Sequence, residues 1–236
     1  MLVQPSRRTL LETIRQRNPI CCQPQGRLLH FAAKYLNSNG SWHDAGLQEL
    51  RGRLEHKIST VKWKFPFDKV TGEAAVLVPL YNDTDGKARI LFTKRVSSLR
   101  QHGGEISFPG GKMDSEDESY VHTALRETSE EVFLSPSKFQ ILGSLPALPN
   151  KTGTIRVHPI VAFYTDPLDV TESYPCNKEE VERVLGLEAE WLGDQKNMGT
   201  ELFRGKVKSP VWNLPEGDKI WGLTAYTMNI LTKWMA

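Results

Sequence analysis

Two runs rich in β-formers, residues 74–81 and 88–94, flank Asn82-Asp83-Thr84-Asp85-Gly86, and this pattern narrows the folds open to the chain more than any other. Turn residues between two extended runs predict a hairpin. A Gly-rich segment at 103–111 then leads into a helical pattern over 118–132, which Ser135 and Pro136 stop. Strand-like runs return at 139–145 and 156–164, followed by a polar segment with Pro167 and Pro175, a run at 181–192 and a hairpin around Gly205. The last helix carries Trp221, Ala225, Met228, Leu231 and Met235 at helical spacing, a stripe that belongs to a core rather than to a cofactor site. Strands, helix, strands, helix is the order of an α/β (α+β) protein, a mixed β-sheet with helices packed on its faces.

Composition sets the outer limits. The 236 residues, 39% hydrophobic and 25% charged, suffice for one globular core and require no second domain. A formal charge of +2 offers no global argument for nucleic acid or an anionic membrane. No apolar run reaches the roughly 18 residues a membrane span needs. Cys21 and Cys22 are adjacent and Cys176 is distant, an odd set that argues against a disulfide framework and for a reducing compartment. Residues 1–38 carry Arg7, Arg8, Arg15, Arg17, Arg27 and Lys34 against one acid, Glu12, interspersed with Leu2, Leu10, Leu11 and Ile14. That is the composition of a mitochondrial targeting segment, the alternative being a basic arm that contacts a partner. Residues 39–66 read as a polar lead-in with a short helix over 47–54, and residues 67–236 as the domain itself.

The chemistry concentrates in the helix. At about 100° per residue, Val121, Leu125, Thr128 and Val132 share one arc and Glu127, Glu130 and Glu131 another, predicting a core face and an acid face. Ser115 with Glu118 forms a candidate capping box, with Asp117 and Ser119 as alternative caps. A solvated face normally interleaves cations at i+4, yet Glu127 meets Glu131, Glu130 meets Leu134, and Arg126 is the only nearby cation. Such a face is either plain solvated surface or a site for a hard cation such as Mg²⁺ or Mn²⁺, which takes oxygen ligands. The preceding Phe108-Pro109-Gly110-Gly111 favours the second reading, because Gly-Gly lets backbone approach a metal or phosphate closely.

Gly111, an acid at Glu118, and Arg126-Glu127-Thr128-Ser129-Glu130-Glu131 together resemble the signature of Nudix hydrolases, G-x5-E-x7-R-E-U-x-E-E-x-G-U with U apolar. Leu91-Phe92-Thr93-Lys94-Arg95, Arg100, His102, Gly104 and Ser107-Phe108-Pro109-Gly110-Gly111 resemble the additional upstream motif of the coenzyme A diphosphatases in that superfamily. Residues 121–128 and Trp221-Gly222-Leu223-Thr224-Ala225 resemble its mitochondrial branch. The likeness runs from about Ala74 to the C-terminus and departs from the pattern three times. There is one residue more between Gly111 and Arg126, Thr128 stands at the apolar U position, and Phe133 replaces the glycine that would supply a left-handed helix cap.

The resemblance implies a Nudix fold and hydrolysis of a diphosphate with Mg²⁺ or Mn²⁺, which screens charge and activates water. It implies Glu127, Glu131 and the Gly111 carbonyl as metal ligands, Glu130 as third ligand or base, Arg126 as the cation orienting a carboxylate, and Glu180 of Asn177-Lys178-Glu179-Glu180-Val181 as a further catalytic acid. Arg95, Arg100 and His102 would bind substrate near the 3′-phosphate and diphosphate of coenzyme A. Blander readings stand beside these: a helix salt bridge for Arg126, a solvated acid cluster for Glu180, a strand end for Arg95 and a turn for His102. The implied substrate is a small molecule, coenzyme A or acyl-coenzyme A, giving phosphopantetheine and adenosine 3′,5′-bisphosphate, with no nucleic acid partner and either a monomer or a homodimer. Alternatives are another nucleoside diphosphate derivative as substrate, or a catalytically weak binding module motivated by Phe133. The location implied is mitochondrial, with peroxisomal and cytoplasmic as alternatives.

Overall fold

A computed structural model describes residues 34–61, 67, 69–98, 102–203 and 207–236. Most of the segment expected to direct targeting, Cys21, Cys22, Arg100 and the tip at Gly205 therefore lie outside the described residues. Among the described residues no helix is long and apolar enough to cross a membrane.

The main sheet is built around β1 (Gly72–Asn82), a nearly continuous apolar run. Such a run is expected of a strand covered on both faces. Ala75 and Leu77 pack with Ala124 on one side, while Val78 and Leu80 join the larger core on the other. β1 forms the expected hairpin with β2 (Ala88–Arg95), pairing Leu80 with Ile90 and Asn82 with Ala88. At its other end it takes β4 (Gly110–Lys112) as antiparallel partner, and along its length β7 (Ile155–Tyr164) runs parallel, from Gly72 opposite Ile155 to Leu80 opposite Phe163. β5 (Phe139–Ser144) and β6 (Leu148–Pro149) pair with β7, and β3 (Ile106–Ser107) and β8 (Val181–Glu188) with β2. The β2–β8 register is irregular between Lys94 and Arg95. A smaller antiparallel sheet holds β9 (Met198–Phe203), β10 (Val207–Asn213) and β11 (Lys219–Ile220), with β9 and β10 forming the expected hairpin. This is the mixed α/β architecture the element order calls for.

The lead-in segment contains more order than its sequence predicts. Helix α1 (Asp44–Thr60) spans 17 residues, and its Leu47, Leu50 and Leu54 are fully buried in the larger core. Each such leucine contributes about 1.5–3 kcal/mol relative to an exposed one. Arg53 also donates to the Trp234 carbonyl at 2.9 Å, tying α1 to the last helix. Helix α2 (Tyr120–Val132) lies on the opposite face of the sheet, short α3 (Ala189–Gly193) completes the expected run after β8, and α4 (Gly222–Met235) buries Ala225, Met228, Leu231 and Met235 of the expected stripe, whereas Trp221 stands before the helix at its N-cap and is only half-buried. Cys176 is buried, its thiol directed to the Val181 carbonyl at 3.6 Å.

Candidate active site

α2 starts two residues later than its pattern suggests. Of the three alternative caps, Ser119 does the work: its hydroxyl accepts from the His122 N–H at 3.1 Å. Asp117 is released for another task. Its side chain, only 1% exposed, receives Arg126 as a two-pronged fork, Nε to Oδ1 at 3.0 Å and Nη2 to Oδ2 at 2.9 Å, while the Asp114 N–H donates to Oδ2 at 3.0 Å. The Arg126 guanidinium accordingly holds the Asp117 carboxyl well below the usual carboxylate range. Glu118 is exposed, so the acid of the motif is Asp117 and not Glu118. Spacing contained the signal: counting from Gly111, Asp117 satisfies G-x5-E, and the extra residue then falls between it and Arg126.

From this anchorage Arg126 reaches four further groups, one of them Asp114 Oδ2, 3.5 Å from Nη2. Nη2 donates to the Lys112 carbonyl at 3.2 Å, and Nη1 meets Glu127 Oε1 at 3.1 Å and Glu130 Oε2 at 3.2 Å. Arg126 thus orients Glu127 and Glu130 together. Gly111, on β4, faces Glu127 so closely that a Cβ there would overlap the Glu127 carboxyl. A side chain at this position would displace the Glu127 carboxyl from where it stands.

Glu131 departs from the expected acid face. It lies within the buried arc with Ala124, Thr128 and Val132, its side chain 3% exposed, because non-local segments cover it. The Asn177 N–H donates to the Glu131 carbonyl at 2.9 Å, folding the loop before β8 onto the end of α2. The Val96 N–H donates to the Glu180 carbonyl at 2.9 Å, pinning the same loop to the end of β2. Arg95, beside the β2 irregularity, bridges the assembly: Nη1 to Glu131 Oε1 at 3.2 Å and Nη2 to Glu180 Oε2 at 3.6 Å. Glu131 Oε2 is buried and has no hydrogen-bond partner among the described residues. Burial pushes the Glu131 carboxyl up to about 8, with Glu180 and Glu127 adding repulsion and Arg95 opposing it. Burial also raises Glu127, against the pull of Arg126.

The structure therefore brings Glu127, Glu131 and Glu180 into electrostatic contact, with Arg95 and Arg126 between them, and leaves Glu130 at 58% side-chain exposure on Arg126. Among the described residues no three acidic, His or Cys side chains stand together as a preformed metal cage. The donor set nonetheless fits a hard divalent cation: it is all oxygen, its charges repel one another, and a buried carboxylate oxygen lacks a donor among the described residues. His102 sits apart in a turn, at φ 58°, with Nδ1 2.8 Å from Glu105 Oε2. It lines a cleft of about 620 Å³ together with Lys112 and Lys151. Phe133 takes the left-handed conformation itself, φ 56° and ψ 27°, and donates its N–H to the Ser129 carbonyl at 3.1 Å, its side chain 60% exposed. The helix therefore ends as a glycine would end it, and Glu131 is not displaced.

Comparison with known proteins agrees with this arrangement. Residues 71–200 match the NUDIX domain family. The mitochondrial coenzyme A diphosphatase NUDT8 of Mus musculus is 40% identical over 169 residues, covering 69% of this chain and 78% of the relative. An uncharacterized Nudix hydrolase NudL of Yersinia enterocolitica is 35% identical over 161 residues, covering 67% and 79%. Nudix hydrolase 15, mitochondrial, of Arabidopsis thaliana is 36% identical over 189 residues, covering 75% and 65%. With the family matched across more than half its length and its Arg-Glu-x-x-Glu-Glu helix seated against Gly111, this chain belongs to the Nudix hydrolases, enzymes acting on small-molecule substrates.

Proposed function

We propose that this enzyme hydrolyses the diphosphate linkage of coenzyme A and its acyl derivatives, releasing phosphopantetheine and adenosine 3′,5′-bisphosphate. The observation that carries the substrate is the 40% identity to a protein named as a coenzyme A diphosphatase. Its upstream segment from Leu91 to Gly111 supports the same reading, because it delivers both Arg95 and Gly111 to the carboxylate centre.

Glu127, Glu131 and the Gly111 carbonyl would hold Mg²⁺ or Mn²⁺, with Glu130 or Glu180 completing the set. When bound, such an ion screens the diphosphate and lowers the pKa of water. The protein's own contribution is positioning and charge. Arg126, fixed by Asp117, holds Glu127 and Glu130 in register. Arg95 sets positive charge against Glu131 and Glu180, where it is placed to meet the phosphate oxygens of substrate. Glu130 and Glu180, both solvent-accessible, are the carboxylates able to accept the proton of the attacking water.

Steady-state hydrolysis of coenzyme A with Mg²⁺ or Mn²⁺, beside a Glu131→Gln variant, tests the reading. Turnover of coenzyme A that the variant loses is the expected result. Hydrolysis of NADH or a nucleoside triphosphate without coenzyme A sinks the substrate; metal binding with no turnover of any of them indicates a binding module. A mitochondrial location is the accompanying proposal, supported by two relatives named as mitochondrial. A fusion of residues 1–38 to a reporter that stays in the cytosol refutes targeting by that segment.

A further inference from the structure

The β2–β8 pairing that carries Arg95 into the site is uneven. Lys94 lies opposite Arg183 and Arg95 opposite Val181, so one step along β2 matches two along β8, and Glu182 is the extra residue of a β-bulge. Had the register run on evenly, Glu182 would stand opposite Arg95 and Glu180 two residues further along. The bulge instead draws Glu180 in: the Val96 N–H donates to its carbonyl at 2.9 Å, and Arg95 Nη2 lies 3.6 Å from its Oε2. Successive strand residues point to opposite faces, so fixing Lys94 on one face directs Arg95 to the other, where α2 lies.

Beside the bulge stands a repulsive pair. Lys94 and Arg183 are cations directly opposite each other on neighbouring strands, an arrangement that destabilises a ladder. Their compensation comes from the other sheet. The turn between β10 and β11 is closed by the Gly217 N–H on the Leu214 carbonyl at 3.1 Å and the Leu214 N–H on the Asp218 carbonyl at 2.8 Å. It sends Asp218 Oδ2 to Arg183 Nη2 at 2.8 Å and to Lys94 Nζ at 3.2 Å, so one carboxylate oxygen spans both strands. Burial pushes the Asp218 carboxyl up, but Arg183 and Lys94 outweigh it and hold it below the usual carboxylate range, which keeps it charged at neutral pH. Glu182, 3.4 Å from Lys94, and Glu216, 2.6 Å from Arg183, each meet one of the two cations from more exposed positions, where an ion pair contributes less.

We propose that Asp218 is a positioning residue for the hydrolysis: by clamping Lys94 to Arg183 it holds the bulge, and through the bulge it sets Arg95 against Glu131 and Glu180. Asp218 acts only through Arg95, and the inference rests on the reading that Arg95 meets the phosphate oxygens of substrate. The smaller sheet, which supplies no carboxylate of the site, in this way fixes the geometry of one of its two arginines.

Asp218→Asn keeps the shape of the side chain and removes its charge. Steady-state hydrolysis of coenzyme A with Mg²⁺ is measured on the full chain for the wild type, Asp218→Asn, Arg95→Ala and the double variant. Asp218→Asn is expected to lower kcat/KM about tenfold or more, the scale of a small misplacement, and to cost less than about twofold once Arg95 is already alanine. Equal costs in the two backgrounds would make Asp218 a plain structural residue and overturn the proposal. Glu216→Ala, which removes only the exposed partner of Arg183, is expected to stay within about twofold of the wild type, and a loss matching that of Asp218→Asn overturns the proposal too. Hydrogen exchange at the Val96 amide, read by NMR, tests the clamp without substrate: it is expected to quicken about tenfold in Asp218→Asn while the amides between β1 and β7 keep their rates. An unchanged Val96 rate overturns the clamp. If the wild type hydrolyses NADH or a nucleoside triphosphate in place of coenzyme A, the substrate reading falls and the same cycle on that substrate decides the positioning; no turnover of any of them overturns both.

Discussion

Two buried carboxylates, one just ahead of α2 and one in its last turn, are treated in opposite ways. Asp117, ahead of α2, has both oxygens paired to Arg126 and a backbone N–H in addition. Glu131, in the last turn, shares one oxygen with Arg95 and leaves the other buried with no donor among the described residues. A fully satisfied buried acid is a fixture, whereas an unsatisfied one destabilises the fold and persists where function requires it. Fixing Arg126 at one end sets the angle at which Glu127 and Glu130 are offered; incomplete satisfaction at the other leaves room for a ligand.

The sharpest way to break this contrast is Glu131→Gln. It is expected to lower kcat by about a thousandfold, the scale of removing a key electrostatic group, while leaving the urea midpoint of the metal-free protein unchanged or higher. Equal losses of activity and stability would make Glu131 another fixture. Next comes Mg²⁺ or Mn²⁺ itself, which at about 100 times its Kd should raise wild-type stability by about 2.7 kcal/mol and have little effect on Glu131→Gln. Thermal unfolding with and without a chelator measures it.

Asp117→Asn should behave in the reverse sense, costing about 2 kcal/mol of stability by urea unfolding and reducing activity less than Glu131→Gln does. Its pH dependence has a definite sign. Because Arg126 depresses the folded-state pKa of Asp117, the contribution is fully present above the ordinary carboxylate pKa of about 4 and fades as the pH falls toward the folded value. The stability gap between wild type and Asp117→Asn should therefore be larger at neutral pH than in acid, and a gap that is constant with pH would detach Asp117 from the ion pair. The smallest effect is expected from Phe133→Gly, which relieves a left-handed side-chain residue and should stabilise by roughly 1 kcal/mol with no loss of kcat. A fall in kcat would show that the exposed Phe133 ring touches substrate.

The hairpin, the acidic helix, the Gly-Gly approach and the stripe of α4 are legible in the sequence because each is a local or periodic property. Periodicity gives the angle of a side chain on its helix but not what lies opposite. Glu131 is buried by the loop through Asn177 and Glu180 and by the end of β2, more than thirty residues away on either side. Arg95 reads as one member of a basic cluster with Arg100 and His102, yet the β2–β8 pairing delivers it to the carboxylates. Choosing Asp117 over Glu118 required knowing which of two neighbouring acids faces Arg126, a single step of backbone direction. α1 escaped full recognition because only Leu47, Leu50 and Leu54 of its 17 residues are core, set in an otherwise polar segment with Gly52 inside it.

The packing of α1 bears on where this enzyme can be cut. The family match spans residues 71–200, but the face of the sheet opposite α2 is closed by α1 from before that interval and α4 from after it, joined through Arg53 and Trp234. A fragment trimmed to the matched interval would carry every carboxylate of the site and still present a bare apolar sheet face to water, inviting self-association. α1 and α4 thus act as bookends, and removing either strips the sheet of part of its cover without touching a carboxylate of the site.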